Sequence, residues 1–126
     1  MKTAITSLQN PTIKLIRALA EKKYREETGL FVAEGTEVLA RARLEGWEPA
    51  YVVATAAAEP WGKAERLRAS EKVMQSLSGQ KNASPVLGVF KQRFAQGVEP
   101  RGIWIALEEI RDPGNLGSII RTADAV

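Results

Sequence analysis

The chain has 126 residues, 44% of them apolar and 26% charged, enough for one domain, or a small domain plus part of another, of ordinary globular composition. It contains neither cysteine nor histidine, which excludes a disulfide framework, thiolate or imidazole metal sites and His-based acid–base catalysis. No apolar run approaches the roughly 18 residues of a membrane span, and the N-terminus lacks the apolar stretch of a signal peptide. A cytoplasmic protein with no membrane partner and no bound metal is expected.

The first element is a basic helix. Asn10-Pro11 has the form of a helix start, with Asn10 as N-cap and Pro11 at the first helical position. Ile13, Ile16, Leu19 and Ala20 then recur at helical spacing, and Gly29 ends the element. Residues 1–25 carry six basic groups (Lys2, Lys14, Arg17, Lys22, Lys23, Arg25) against one acid, Glu21, whereas the rest of the chain holds 12 basic and 14 acidic residues. The excess positive charge of +3 therefore sits in the first fifth of the chain. That placement fits either contact with a phosphate backbone or a solvated helix face.

Leu30-Phe31-Val32-Ala33 reads as a short buried strand, followed by a turn at Glu34-Gly35 and a helix through Val38, Leu39 and Ala42 that Gly46 terminates. A second strand is expected over residues 50–54, partial helix over 56–69 interrupted by Pro60, and a short strand at Lys72-Val73-Met74 leading into a short helix. Residues 78–85 form the clearest loop and Val86-Leu87-Gly88-Val89-Phe90 the clearest late strand. Helices alternating with short apolar strands predict an α/β sandwich. The boundaries read as a domain over residues 1–95, a linker over 96–102 and a further segment over 103–126.

Ile103-Trp104-Ile105-Ala106-Leu107 is almost continuously apolar, as in a central parallel strand covered on both faces. Asp112-Pro113-Gly114-Asn115 supplies turn residues, and Leu116, Ile119, Ile120 and Ala123 recur at helical spacing, so a helix should begin near Asn115. A helix N-terminus beyond a strand end favours an anion. Arg121 lies off the apolar stripe; arginine is a poor base, but it can grip a phosphate and stabilise charge developing on a nearby hydroxyl. Asn115 could cap the helix or orient Arg121, and Arg121 could instead pair with Asp124. The residues alone establish an anion-binding strand–turn–helix.

The whole string from Leu107 to Ala123, with Asp112-Pro113-Gly114-Asn115-Leu116-Gly117 and Arg121 at its centre, resembles the first motif of the SpoU/TrmH family of RNA ribose 2′-O-methyltransferases. Glu108 stands where many members have aspartate. By that resemblance Asn115 helps organise the active site and Arg121 activates the ribose 2′-hydroxyl through a phosphate contact. The stretches Ile5-Thr6-Ser7-Leu8-Gln9-Asn10-Pro11-Thr12-Ile13-Lys14 and Gly29-Leu30-Phe31-Val32-Ala33-Glu34-Gly35 resemble the substrate-binding domain that precedes many catalytic domains of the family. The resemblance implies a ribosomal-protein-like α/β sandwich that binds RNA, ribosomal RNA ahead of transfer RNA, through Lys14, Arg17, Lys22, Lys23 and Arg25. A SPOUT (trefoil-knot) domain would then begin at residue 103.

In that family the later motifs build the S-adenosylmethionine pocket and much of a homodimer interface, and they are expected beyond Val126. The 126 residues alone are thus expected neither to bind S-adenosylmethionine nor to methylate RNA, and residues 103–107 to pair with another chain or pack irregularly. A stand-alone RNA-binding module without catalysis is the second reading, and an α/β domain with no RNA role the third.

Overall fold

A computed structural model describes residues 3–126, so Lys2, one of the six N-terminal cations, lies outside the described residues. The chain forms two compact units, Met1–Phe94 and Ala95–Val126. In the first unit the elements run α1 (Pro11–Ala18), α2 (Lys22–Thr28), β1 (Leu30–Glu34), α3 (Thr36–Leu44), β2 (Tyr51–Ala54), β3 (Glu65–Arg68), α4 (Glu71–Leu77) and β4 (Val86–Lys91). The strands make one mixed sheet in the order β1-β4-β2-β3. β4 is antiparallel to both β1 and β2, and β3 runs parallel to β2 with Tyr51 opposite Glu65.

Alternation along the strands sends side chains to two cores. On one face Val53, Leu87 and Val89 meet Ile13, Ile16 and Leu19 from the α1 region and Val73 and Met74 of α4. On the other, Val52 and Phe90 meet Leu39 of α3 and Trp61, with Phe31 and Trp47 packed against them. Phe90 is 1% exposed and lies 5.7–6.0 Å, centroid to centroid, from the rings of Trp61, Phe31 and Trp47. Gly88 leaves room for that packing: a Cβ there would stand 2.7 Å from the Phe90 ring and 2.9 Å from Leu39. This is an α/β sandwich with helices on both faces of the sheet. None of its helices, nor any other among the described residues, is long and apolar enough to cross a membrane.

Four sequence expectations for the first unit need correction. The first helix is two helices, because the chain breaks after Ala18 and Glu21 is extended. The Arg25 guanidinium donates to the Leu19 and Ala20 carbonyls at 2.9 and 2.8 Å, replacing bonds the break removes, while Gly29 (φ 69°) closes α2 in the left-handed conformation. β1 is half-buried rather than buried, since it is an edge strand. Residues 56–64 hold no helix; they carry the chain back so that β3 can lie parallel to β2, and Trp61 anchors them by donating its indole N–H to the Trp47 carbonyl at 2.9 Å. Lys72-Val73-Met74 belongs to α4, not to a strand, because Ser70 caps that helix by accepting from the Val73 N–H at 3.2 Å.

In the second unit, α5 (Pro113–Ala125) is the one regular element. Residues 103–107 are not a strand. A strand is held by its ladder, and the paired strands among the described residues lie between Leu30 and Lys91, with one isolated bridge joining Ile5 to Ala69. Ile103 is 90% and Trp104 57% exposed.

Candidate nucleic-acid interface and motif helix

The basic cluster of α1 and α2 divides by what each cation already touches. Lys14 and Arg17, exposed on α1, are three residues apart and so share a face. The α1 helix presenting them is fastened at its start by Asn10, whose side-chain oxygen accepts from the Thr12 and Ile13 amides at 2.9 and 3.3 Å. Lys22 reaches Glu26 at 3.7 Å in an exposed pair, worth a few tenths of a kcal/mol at most. Lys23 stands 5.5 Å from the Tyr24 ring centroid. Arg25 is half-buried and occupied with the Leu19 and Ala20 carbonyls just beyond α1, so its first role is to join the helices. Lys14, Arg17 and Lys23 have no carboxylate within salt-bridge distance among the described residues.

At the opposite end of β1, Glu34 holds the loop of residues 78–85. Its carboxylate accepts from the Ser78 hydroxyl at 2.6 Å, the Gly79 amide at 3.3 Å and the Ser84 amide at 3.0 Å. Gln75 ties the same loop by accepting from the Ala83 amide and donating to the Gln80 and Lys81 carbonyls. The sequence predicts a turn at Glu34-Gly35 and gives no sign of these contacts. The bond from Ser84 to Glu34 spans 50 residues, and no local pattern signals it.

The second unit places the motif residues on α5. Asp112, not Asn115, caps this helix: its carboxylate accepts from the Gly114 amide at 2.8 Å. Asn115 falls in the first turn, exposed and free to use its amide elsewhere. Arg121 is also exposed and pairs with no carboxylate, Asp124 included, among the described residues. Six residues separate the two, which on a regular helix means about 9 Å along the axis and about 120° around it. The helix therefore does not bring Asn115 and Arg121 together; a ligand contacting both must bridge that gap. Arg121 also lies some two turns from the N-terminal amides rather than beside them.

No cluster of His, Cys, Asp or Glu among the described residues could hold a metal ion. From Ala95 onward every residue except Ile119 is exposed.

Residues 10–88 match the MRM3-like substrate-binding domain. An uncharacterized tRNA/rRNA methyltransferase of Synechocystis is 31% identical over 97% of this chain and 49% of its own length. The crystal structure of an rRNA methyltransferase from Sinorhizobium meliloti is 39% identical with a TM-score of 0.81, over 98% of this chain and 51% of that one; the same enzyme has been solved with AdoMet bound. An RNA 2′-O ribose methyltransferase is 29% identical with a TM-score of 0.79, over 98% of this chain and 52% of the other. The chain thus spans about half the length of the relatives it matches. The basic helices and their sandwich, followed by the Asp112–Arg121 stretch, correspond to the N-terminal region of SpoU/TrmH-family RNA methyltransferases, and it is to that family, with its MRM3-like substrate-binding domain, that the chain belongs.

Proposed function

We propose that this chain is the RNA-binding portion, with the first catalytic motif, of an enzyme that methylates a ribose 2′-hydroxyl using S-adenosylmethionine. The observation that carries the reading is the match of residues 10–88 to a substrate-binding domain, on a chain 39% identical to an rRNA methyltransferase. Ribosomal RNA is accordingly the first substrate to test and transfer RNA the second. In this reading Lys14, Arg17, Lys22 and Lys23 meet RNA phosphates, and Arg25 sets the angle at which α2 presents its lysines. Arg121 grips a phosphate and stabilises the 2′-oxygen as its proton leaves, with Asn115 orienting the ribose. Residues 103–107 become a strand of a SPOUT domain once further strands flank them, and the whole enzyme acts as a homodimer.

The 126 residues alone are proposed to bind RNA but not S-adenosylmethionine, in keeping with the exposure of the second unit. Two measurements test this. RNA affinity of the chain should fall steeply with salt, because each neutralised phosphate releases counterions; salt-independent binding, or none, would remove the RNA role. Titration calorimetry with S-adenosylmethionine should give no heat of binding, and a saturable signal would overturn that part. In a whole enzyme, Arg121→Ala should abolish methyl transfer and spare donor binding; retained turnover would take Arg121 out of the mechanism.

A further inference from the structure

A second group of cations lies on the α3 face of the sheet, and the sequence does not reveal it because the three residues are spread over two elements. Arg43 of α3 donates to the Pro60 carbonyl at 3.3 Å, Arg66 of β3 to the Ala58 carbonyl at 2.8 Å, and Arg68 of β3 to the Thr55 carbonyl at 3.2 Å. All three guanidinium groups are thereby aimed at one loop, residues 55–61, the crossover between β2 and β3. Arg43 is further fixed by lying 4.4 Å from the Trp61 ring centroid. Each arginine has five N–H donors, so most stay available after these single bonds, and all three residues are exposed.

No carboxylate stands within salt-bridge distance of any of the three among the described residues, whereas neighbouring Arg41 is paired with Glu45 at 3.4 Å. Three like charges held along one loop outnumber its one carboxylate, Glu59, which lines a neighbouring groove but forms a salt bridge with none of them, and so favour an anionic partner. Arg66 and Arg68 project from the same face of an edge strand, with Cα atoms roughly 6.5 Å apart, a backbone spacing comparable with that of successive phosphates along a nucleic-acid strand. Beside the row runs a groove of about 360 Å³ with Leu39, Ala40, Val52, Trp61 and Val86 among its lining residues. A cationic rim next to an apolar floor suits a strand whose bases are unpaired.

We propose that Arg43, Arg66 and Arg68 form a second RNA contact, separate from the α1–α2 lysines, that takes the phosphates of a single strand. The proposal rests on the reading that the chain binds RNA. The test is fluorescence anisotropy of the full chain with a labelled single-stranded oligoribonucleotide, at several salt concentrations. Arg66→Gln with Arg68→Gln should weaken binding about tenfold and reduce the salt slope by about 1.4, the value for two lost single-strand phosphate contacts. Because these arginines also brace the loop, Ala57→Glu is the companion variant: it leaves the three hydrogen bonds in place and sets a carboxylate on the exposed loop beside the row. It too should weaken binding. Loss in the arginine variant without loss in Ala57→Glu would overturn the proposal, as would unchanged binding in both. An RNA duplex competing as well as the single strand would also overturn it. If the unmodified chain fails to bind at all, the proposed function itself falls, an outcome distinct from these.

Discussion

Two apolar pentads in this chain have opposite fates. Val86-Leu87-Gly88-Val89-Phe90 is the centre of the sheet, paired on both sides, with four of its five residues buried. Ile103-Trp104-Ile105-Ala106-Leu107 is at least as apolar, yet it forms no ladder and is exposed throughout. Hydrophobicity makes a segment want burial, but strand structure is conferred by neighbours that satisfy backbone N–H and C=O groups. The first unit carries its own strand partners, whereas residues 103–107 have none among the described residues.

The largest expected effect sharpens this contrast. Phe90→Ala should cost about 3–5 kcal/mol, as for truncation of a buried aromatic, whereas Ile105→Ala should stay within about 0.5 kcal/mol. Urea unfolding of the two variants measures both, and comparable losses would break the comparison. Gly88→Ala comes next: its Cβ meets Phe90 and Leu39, so overpacking should cost about 1–3 kcal/mol, seen as a lowered melting temperature. Asn10→Ala removes the α1 cap and should cost about 1 kcal/mol. The matching Asp112→Ala should loosen only α5, detectable as faster amide exchange at Gly114 with no shift of the main unfolding transition. The smallest stability effect belongs to Lys22→Ala with Lys23→Ala, within about 0.5 kcal/mol. The same pair should lower the RNA salt slope by about 1.4, and an unchanged slope would move the RNA surface elsewhere.

Much of the first unit was legible because its signals are local. Asn10-Pro11 caps a helix through atoms two and three residues away. Gly29 ends α2 by a backbone conformation it adopts at little cost, and the strands β2 and β4 show as short apolar runs. The misreadings occur where a distant partner decides. Residues 56–64 contain enough alanine to suggest a helix, but the parallel register of β2 and β3 and the anchoring of Trp61 on Trp47 require an extended return. The candidate site divides in the same way. The α1–α2 cations and the Asn115–Arg121 motif are contiguous in sequence and could be read directly. The Glu34 tether and the arginine row join residues far apart along the chain, and neither leaves a local pattern.

What the sequence by itself determined is therefore the family, most of the alternation of helices and strands, the Asn10 cap and the location of excess positive charge, all properties of residues within a few positions of one another. Only the tertiary structure decided that Arg25 is occupied with helix carbonyls while Lys14 and Arg17 stay open, that residues 103–107 form no strand, and that Arg43, Arg66 and Arg68 converge on one loop. Each of those outcomes depends on which hydrogen-bonding groups and apolar faces find partners across the fold, and pairing over such distances is settled by packing and register rather than by local preference.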